Sequence, residues 1–357
     1  MTLVLSNADV DALITMAECI DVLEDAYREL AHGRGITRTR SDTFSPTTRA
    51  DALYSLKSMD GIAPTLGVGA VRINSDIVTW PTRAGNARRE KLPAAPNARW
   101  VGLVLLFSVE NGEPLALLPD GYVQRLRVGA TNGLGVKYLA REGAGTVGLL
   151  GSGWQASGQV MAVAAVRCVE RIRCYSPNRE NREAFARATS QQVGVDVAAV
   201  DSPEEAMKGA DVVMCATNTI EPVFFERWIE PGMHISAVKR PEIEVAAIQR
   251  ADRVVVHTHD ATPMVFSPPE VVVPEKSAAR GWDLLNEVDF GALPTLPELI
   301  AGQASGRTSA DQVTCFINNL GLGYQFAAVG AAVYRKARKQ GRGHELPTDW
   351  FTQDVHP

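Results

Sequence analysis

The spacing of apolar and polar residues changes along the chain and predicts two kinds of structure. Near the start, apolar side chains recur at helical spacing from Ile20 to Leu30, and Ser6 with Asp9 has the pattern of a helix N-terminal capping box. From about residue 36 to 118, short runs such as ALYSLK, VGAVRI and WVGLVLLFSV are separated by turn residues, which is typical of antiparallel strands. The first third of the chain is therefore predicted to be an α+β domain.

Further along, the pattern becomes continuous apolar runs joined by helical segments. Six runs are TVGLLG (146–151), IRCYS (172–176), VDVAAV (195–200), DVVMCAT (211–217), MHISAV (233–238) and RVVVHT (253–258). Continuous apolar strands connected by helices indicate a parallel sheet with both faces covered, so a doubly wound Rossmann domain is predicted. We place it at residues 127–311. The tail from 312 to 357 has helical periodicity and is expected to return to the first domain, 1–126, as a helix without a further strand.

A glycine-rich turn follows the first strand of the predicted Rossmann domain and opens a helix. Glycines at this point let backbone amides approach a pyrophosphate, whose negative charge is stabilised by the free N–H groups of the helix N-terminus. The turn is GSGWQA. It predicts dinucleotide contacts from Gly151, Ser152, Gly153, Trp154 and Gln155, with a turn that binds nothing as the alternative.

The end of the second strand indicates which dinucleotide fits. An NAD site usually has an acid there for the ribose hydroxyls, and a 2′-phosphate would be repelled by that acid. Here Ser176, Asn178 and Arg179 precede the first acid, Glu180, so NADP(H) is favoured over NAD(H). The alternative is that Arg179 only solvates a helix start. Further cofactor contacts are expected at the carboxyl ends of later strands, from Thr217, Asn218 and Val238.

Composition and charge narrow the function. Apolar residues make up 45% of the 357 residues and charged residues 22%, and the formal net charge of −5 provides no basic field for nucleic acid. No long apolar span or secretory signal is evident, so we expect no membrane partner and a cytoplasmic location. Five cysteines, an odd number without a CxxC pair, are typical of reduced thiols. His257 and His259 lack a third ligand nearby, so no metal is predicted.

The quoted motifs resemble one family, the ornithine cyclodeaminase/mu-crystallin family of nicotinamide-dependent enzymes. The resemblance covers nearly the whole chain and rests on LSNADVDALITMAECIDVLEDAYREL, YVQRLRVGATNGLGVKYLA, GLLGSGWQA and the run from EEAMKGADVVMCATNTIEPVF through WIEPGMHISAV. It implies a homodimer built by the domain outside the Rossmann fold, which would also bind substrate. The implied substrates are small amino acids, keto acids or cyclic imines that carry a carboxylate.

Four cationic residues on segments of mixed or apolar character are the predicted substrate site: Arg40, Lys57, Arg72 and Arg127. A basic side chain in such surroundings is costly unless it meets an anion, and arginine pairs with a carboxylate through two hydrogen bonds. The resemblance places Arg127 in LRVGAT and Arg40 in RTRSD at family arginines, and Arg72 where a lysine is usual. Lys57, Arg72 and Arg127 are predicted as catalytic. The alternative for Arg127 is an internal salt bridge, and for Arg40 it is a generally basic region that includes Arg34 and Arg38. The excess of cations hints at a second acidic group on the substrate, and a surface salt bridge explains that excess about as well.

Two departures from the family pattern bear on the reaction. Cyclodeaminases of the family carry an aspartate shortly after the HIxAV strand, whereas here Lys239 and Arg240 stand in a shorter turn. Without a positioned base, a hydrolytic deamination loses about 10² to 10⁴ in rate. An insertion at residues 80–97 is also unusual for the family. It is polar, so an exposed loop is expected rather than a reshaped pocket.

The leading hypothesis is an NAD(P)-dependent oxidoreductase. It would reduce an imino acid or cyclic imine by hydride transfer, or reversibly oxidise an α-amino acid. Arg127, Arg40 and Arg72 would hold the carboxylate, and Lys57 would protonate the imine nitrogen. One alternative is a cyclodeaminase-type lyase that uses bound NAD. The other is an NADPH-dependent binding protein of the mu-crystallin type.

Overall fold

The computed structural model describes residues 1–83, 85–259, 262–273 and 287–355. The described helices are α1 (Asn7–Leu13), α2 (Met16–Ala31), α3 (Asp120–Leu139), α4 (Trp154–Val166), α5 (Arg179–Val193), α6 (Pro203–Met207), α7 (Val245–Arg250), α8 (Leu296–Ile300) and α9 (Gly323–Gln340). The strands are β1 (Thr2–Val4), β2 (Ile36–Thr37), β3 (Ser41–Pro46), β4 (Ala52–Ala63), β5 (Val68–Thr79), β6 (Thr82–Arg83), β7 (Asn86–Ala87), β8 (Glu90–Leu92), β9 (Val101–Ser108), β10 (Pro114–Pro119), β11 (Thr146–Leu150), β12 (Arg171–Tyr175), β13 (Asp196–Ala199), β14 (Val212–Cys215), β15 (His234–Ala237), β16 (Arg253–Val256), β17 (Met264–Phe266), β18 (Thr314–Ile317) and β19 (His344–Leu346).

The first sheet is mainly antiparallel. Its strands in the described chain follow the order β17-β3-β4-β5-β9-β10-β1-β19, with β2 beside β4 and β8 beside β5. Long β4 and β5 pair over their whole length, from Ala52 opposite Thr79 to Ala63 opposite Val68. Helix α9 packs on this sheet closely, because a Cβ on Gly61 of β4 would lie 2.2 Å from the backbone nitrogen of Tyr324.

The second sheet is entirely parallel among the described strands, in the order β13-β12-β11-β14-β15-β18-β16. Strands β14, β15 and β18 are buried along their whole length, as expected when helices cover both faces. The chain turns back at β11, where the strand order reverses, and ligands of doubly wound sheets bind outside the carboxyl ends of the strands at this point. The predicted fold class is confirmed.

Three details differ from the sequence-based expectations. The chain from 312 to 357 begins with β18, which lies in the parallel sheet between β15 and β16 and not in a purely helical tail. Strand β17 was not predicted, and although it lies within the predicted Rossmann range 127–311, it joins the edge of the first sheet beside β3. The predicted first helix is two helices, because Thr15 and Glu18 form a second capping box and start α2 anew.

Helix α3 connects the two sheets and packs closely against α4. A Cβ on Gly129 of α3 would lie 2.4 Å from the carbonyl oxygen of Gly158 on α4, so the two helix backbones touch. The predicted boundary after residue 126 falls within α3, which continues without a break from Asp120 to Leu139. None of the helices in the described ranges has the length and apolar character that crossing a membrane requires.

Candidate functional site

The glycine turn between β11 and α4 leaves open space at the helix N-terminus. Gly151 has φ +116°, a conformation that favours glycine, and a Cβ there would lie 2.2 Å from the Ala216 carbonyl oxygen. At Gly153, which precedes the first residue of α4, no described atom lies within 4 Å of the position a Cβ would take. In the described chain no side chain caps α4. The start of α4 thus combines open space beside Gly153 with backbone N–H groups that no described side chain caps, as a pyrophosphate site requires.

The other predicted residues of this turn have separate contacts. The Ser152 hydroxyl lies 2.8 Å from the Ser176 hydroxyl, which ties the turn to the end of β12. Trp154 is 49% exposed, and its indole N–H donates to the Gly121 carbonyl at 3.2 Å. Gln155 has a buried Oε1 without a hydrogen-bond partner in the part of the chain described. Trp154 is therefore placed to contribute its backbone rather than its ring.

At the end of β12, the predicted NADP-selecting residues lie together, but one has a structural role. Asn178 caps α5 by accepting a hydrogen bond from the Asn181 backbone N–H at 2.8 Å. Arg179 is exposed and pairs with Glu183 one turn along α5. Ser176 is 8% exposed, and Arg182 donates to its carbonyl oxygen at 3.1 Å. The exposed Arg179 guanidinium and the Ser176 hydroxyl thus lie close to the carboxyl end of β12.

The ends of β14 and β15 are held together by a buried acid that the sequence analysis did not single out. Glu242 Oε1 accepts from the Thr217 N–H at 2.6 Å and from the Thr217 hydroxyl at 2.7 Å. Its Oε2 accepts from the backbone N–H of Val238 at 3.0 Å and of Lys239 at 3.2 Å. Burial raises the pKa of Glu242. Thr217 and Val238 therefore lie at the carboxyl edge of the parallel sheet, and the Thr217 hydroxyl is already engaged by Glu242.

The face of the first sheet that α9 covers carries buried charge. Lys57 on β4 is opposite Asp42 on β3 and opposite Asn74 on β5. Arg72 and Asp76 lie two residues either side of Asn74, so side-chain alternation puts all five on one face. Each is at most 5% exposed. Charge buried at this density needs internal partners or a ligand.

Two of the four predicted cations have strong internal partners. The Arg40 guanidinium donates two hydrogen bonds to the Asp42 carboxylate, from Nε to Oδ1 at 2.7 Å and from Nη2 to Oδ2 at 2.9 Å. The Arg72 guanidinium donates from Nε to Asp120 at 2.7 Å and also contacts Gln124. Both arginines are therefore engaged in internal salt bridges, an arrangement that the sequence did not predict for Arg40. Asp42 and Asp120 were not predicted from the sequence, although Asp42 stands only two residues from Arg40 on the same strand face.

Arg127 differs, because within the described ranges no acid lies at salt-bridge distance. It is 5% exposed, its Nη1 donates to Gln325 Oε1 at 3.1 Å, and its Cζ lies 5.1 Å from the centre of the Phe326 ring. Burial, and next the charge of Arg72, lowers the pKa of Arg127 to about 9. The guanidinium is therefore charged at neutral pH, with no acidic partner among the described residues.

A buried polar network fixes the amide that contacts Arg127. Gln325 Nε2 donates to the Tyr27 hydroxyl at 2.8 Å and to the Thr131 hydroxyl at 2.7 Å, and its Oε1 also accepts from the Leu322 N–H. The Tyr27 hydroxyl oxygen in turn lies 2.8 Å from His257 Nε2. Because both ends of the Gln325 amide are engaged, Arg127 is held in one orientation. His257 has a structural partner here, which the sequence did not reveal.

The pKa of the Lys57 amine is strongly shifted by its surroundings in the site. Burial, and next the positive charge of Arg89, holds the pKa of Lys57 well below its ordinary 10.5. Its Nζ lies 3.5 Å from Asp42 Oδ2, an acid that Arg40 already engages. An ammonium in these surroundings gives up its proton more easily than an exposed lysine does.

The insertion at residues 80–97 does not behave as an exposed loop. Strand β8 pairs with β5, and the Arg89 backbone N–H donates to the Asn218 carbonyl at 3.1 Å. Lys91 reaches Asp76 at 2.7 Å. The expectation of a free loop is wrong for these residues because their backbone groups pair with both β5 and the end of β14. The insertion thus bridges the two sheets beside Asn218 and Lys57.

The turn after β15 contains two acids, and both are engaged. Four hydrogen bonds occupy both carboxylate oxygens of Glu242, and Glu244 Oε2 accepts from the Glu226 backbone N–H at 2.8 Å. Arg240 is buried at 4% exposure, with the Phe290 ring 4.7 Å from its Cζ. Elsewhere, His259 lies 2.8 Å from the Leu293 carbonyl oxygen. Within the described ranges, no three His, Cys, Asp or Glu side chains come together as metal ligands would.

An open glycine turn at the switch point of a parallel sheet, beside a cation-lined face of a second domain, defines a dinucleotide-binding protein of the doubly wound class. The family model of the ornithine cyclodeaminase/mu-crystallin family matches residues 1–341. The chain belongs to this family, which confirms the predicted resemblance.

Individual relatives cover the chain almost completely. A Delta(1)-pyrroline-2-carboxylate reductase of Bacillus cereus is 30% identical over 349 residues, or 96% of this chain and 99% of the relative. The solved Thermococcus litoralis Delta(1)-pyrroline-2-carboxylate reductase, in complex with NADH and L-proline, superposes with a TM-score of 0.79 at 26% identity, covering 97% of this chain and all of that one. An archaeal alanine dehydrogenase dimer with bound NAD gives a TM-score of 0.75 at 25% identity, covering 97% and 99%.

Proposed function

We propose that the protein reduces the C=N bond of a small imino acid, or reversibly oxidises the α-amino acid. Three relatives that cover nearly the whole chain, the two pyrroline-2-carboxylate reductases and the alanine dehydrogenase, are reductases or dehydrogenases of this type, and the chain is an NAD(P)-dependent enzyme of its family. The observation that carries the proposal is Arg127, a buried guanidinium without an acid partner in the described chain, beside the nucleotide-binding edge.

The glycine turn fits a dinucleotide. Open space at Gly153 and the uncapped start of α4 accommodate a pyrophosphate, whereas a side chain at Gly151 would collide with the carbonyl oxygen of Ala216, just after β14. A bound nicotinamide supplies the hydride that the imine carbon accepts. The turn itself holds and orients the dinucleotide through its backbone N–H groups.

The residues of the first sheet would hold the substrate and supply the proton. Arg127 grips the carboxylate, and its orientation is fixed by Gln325. Lys57 donates a proton to the imine nitrogen as the carbon takes the hydride, so a C–H and an N–H bond replace the C=N π bond. Arg40 and Arg72 are already paired with acids, so they contribute positive electrostatic potential at the site and do not bind the substrate alone. Holding the reacting groups in place contributes several kcal/mol, since oriented reactions gain up to about 7–11 kcal/mol.

The preferred cofactor is NADP(H). Ser176 and Asn178 lie where an NAD enzyme usually has an acid, and the exposed Arg179 can approach a 2′-phosphate, since its pairing with Glu183 on the surface is weak. Higher kcat/KM with NADPH than with NADH supports this assignment, and the reverse order contradicts it.

The assembly is proposed to be a homodimer formed through the outer face of the first sheet. Apolar side chains on β4 and β9 are between 36% and 40% exposed on that face: Leu56, Ile62, Val101 and Leu103. A continuous apolar patch of this kind marks an interface. A solution mass of twice the 38.5 kDa of one chain is expected, and a monomer would contradict it.

The two alternative functions have less support. A cyclodeaminase needs a base, and in the turn after β15 Glu242 is occupied by four hydrogen bonds while Glu244 accepts from the Glu226 N–H. A binding protein needs no proton donor, whereas Lys57 has surroundings suited to proton transfer.

The experiment that tests the function is NADPH oxidation, followed at 340 nm, with pyrroline-2-carboxylate, piperideine-2-carboxylate and amine-plus-2-oxo-acid mixtures. Amine formation equal to NADPH consumed is the expected result. Ammonia release without a net change in NADPH would indicate the lyase. Tight ligand binding without turnover would indicate the binding protein.

A further inference from the structure

The Arg127 guanidinium is hydrogen-bonded at one corner, and its opposite edge remains for a ligand. Nη1 donates to Gln325 Oε1 at 3.1 Å, whereas Nε is buried and has no hydrogen-bond partner in the part of the chain described. An arginine binds both oxygens of a carboxylate through two parallel N–H groups. In Arg34 and Arg40 those groups are on Nε and Nη2. The same edge of Arg127 is therefore suited to a substrate carboxylate, provided that the guanidinium is held in this orientation.

The neighbours of Gln325 dictate which way its amide points. The Leu322 backbone N–H, 2.9 Å from Oε1, can only donate, and so can the Arg127 guanidinium, so both must meet the amide oxygen. The amide NH2 group then donates to the hydroxyls of Tyr27 and Thr131, at 2.8 and 2.7 Å. Reversing the amide would set donors against donors, so the orientation that serves Arg127 is the one that these partners require.

The hydroxyl protons are fixed by acceptors beyond them. The Thr131 hydroxyl donates to the Arg127 carbonyl oxygen at 2.7 Å. His257 Nδ1 lies 2.6 Å from the Leu320 carbonyl oxygen, which can only accept, so Nδ1 carries the ring proton. Burial lowers the pKa of His257 to about 4, so the ring is neutral at pH 7 and Nε2 accepts from the Tyr27 hydroxyl at 2.8 Å. Both hydroxyl protons are thus assigned, and the amide NH2 group bridges the two oxygens, which are 2.8 Å apart.

Hydrogen bonds from Arg127 through Gln325 and Tyr27 to His257 form one buried series, which we call the Arg127 tether. It joins elements that are distant in sequence, since Tyr27 is on α2, Gln325 is on α9 and His257 follows β16 of the parallel sheet. None of these three side chains has exposed surface. Gly321 completes the fit, because a Cβ there would collide with the Arg127 guanidinium. A buried polar network with every member satisfied specifies a single arrangement.

We propose that Tyr27 and His257 are positioning residues for the substrate carboxylate and act through Gln325 on Arg127. The direction of the hydrogen bonds in the tether keeps the Nε–Nη2 edge of the guanidinium available to the carboxylate. This inference rests on the proposed function, because it takes Arg127 to be the group that binds the substrate. Loss of either positioning residue should weaken carboxylate binding and leave dinucleotide binding unchanged, since the tether ends at Arg127 and not at the glycine turn.

Binding of pyrrole-2-carboxylate tests the inference without turnover, because this aromatic analogue of a cyclic imino acid accepts no hydride. Isothermal titration in the presence of NADP+ compares the wild-type protein with Tyr27→Phe and with the control Tyr324→Phe. The control removes a buried hydroxyl that donates to the Ala26 carbonyl at 3.0 Å, between the same two helices but outside the tether. We expect Tyr27→Phe to raise Kd about 2- to 12-fold, the loss of one hydrogen bond, and the control to leave Kd unchanged. Equal Kd values for the two variants would overturn the inference.

Two variants of His257 separate positioning from folding. Glutamine can place Oε1 where the ring has Nε2, so His257→Gln keeps an acceptor for the Tyr27 hydroxyl. His257→Phe keeps a ring of similar size without an acceptor. We expect Kd for pyrrole-2-carboxylate to stay near the wild-type value in His257→Gln and to rise in His257→Phe as it does in Tyr27→Phe, with Kd for NADP+ unchanged in both. The same Kd for pyrrole-2-carboxylate in both His257 variants, or a parallel loss of NADP+ binding, contradicts a positioning role.

The outcomes also distinguish this inference from the proposed reaction. A wild-type protein that binds pyrrole-2-carboxylate but reduces no imine would refute the reaction and leave the positioning role standing. Unchanged kcat/KM for pyrroline-2-carboxylate in Tyr27→Phe and His257→Phe would refute the positioning role and leave the reaction standing. No binding of pyrrole-2-carboxylate to the wild-type protein would refute the carboxylate contact of Arg127, and the inference with it.

Discussion

Replacement of Gly153 by alanine separates the role of the glycine turn in the fold from its role in binding. Gly153 has φ −95° and ψ −173°, which alanine adopts freely, and no described atom lies within 4 Å of the new Cβ. Alanine is a poor helix N-cap, so the stability cost is about 1 kcal/mol at most, or about 2–4 °C in Tm. The space that the methyl group fills is where the pyrophosphate must approach.

The expected effect on binding is much larger than the effect on folding. Displacement of the pyrophosphate by the Cβ would cost one charged hydrogen bond, about 1.5–3 kcal/mol, which raises Kd by about 10- to 150-fold. Isothermal titration of NADPH into the wild-type and Gly153→Ala proteins measures this. Gly143→Ala, where the Cβ position is equally open, is the control and should leave Kd unchanged. Unchanged NADPH affinity in Gly153→Ala, with unchanged Tm, would refute a dinucleotide at this turn.

Three further predictions concern substrate, proton and cofactor. Arg127→Met should lower kcat/KM for the imino acid at least about 100-fold, because two charged hydrogen bonds of about 1.5–3 kcal/mol each are lost. The Kd for NADPH should change little. A loss confined to NADPH binding would contradict a substrate contact of Arg127. Lys57 acts as an ammonium, so the rate of reduction should fall as the pH rises through the depressed pKa of Lys57, which lies well below 10.5. Lys57→Met should remove this fall from the pH–rate profile. If the fall is retained in the variant, another group is responsible for it. Arg179→Gln should raise KM for NADPH and leave KM for NADH unchanged. The control is Arg187→Gln, because Arg187 is also exposed and lies about 12 Å further along α5, and this variant should change neither KM. Equal effects of the two variants would reject the contact between Arg179 and the 2′-phosphate.

Much of the parallel sheet could be predicted because its signals are local. Six apolar runs and the glycine turn stand in short stretches of sequence, and each became a strand or turn. Strand β18 was missed because its four residues precede a long helix, and its position between β15 and β16 depends on contacts distant in sequence. The insertion was misjudged for the same reason, since its polar residues pair with β5 and with the end of β14.

The site could be predicted only in part. The sequence shows Arg40, Arg72, Arg127 and Arg240 as cations, but strand register and helix packing decide which of them meets an acid. Arg72 reaches Asp120, which is 48 residues away, and no local pattern reveals that pairing. The informative property, a buried guanidinium without an acid in the described chain, exists only in three dimensions.

The most direct test of the central claim is to follow the transferred hydrogen. The protein is supplied with NADPH deuterated at the transferable C4 position and with an imino acid, and the amino acid product is analysed by mass spectrometry and NMR. The account predicts one deuterium per molecule, bonded to the α-carbon. Unlabelled product, or ammonia released with the label still on the nucleotide, would contradict it.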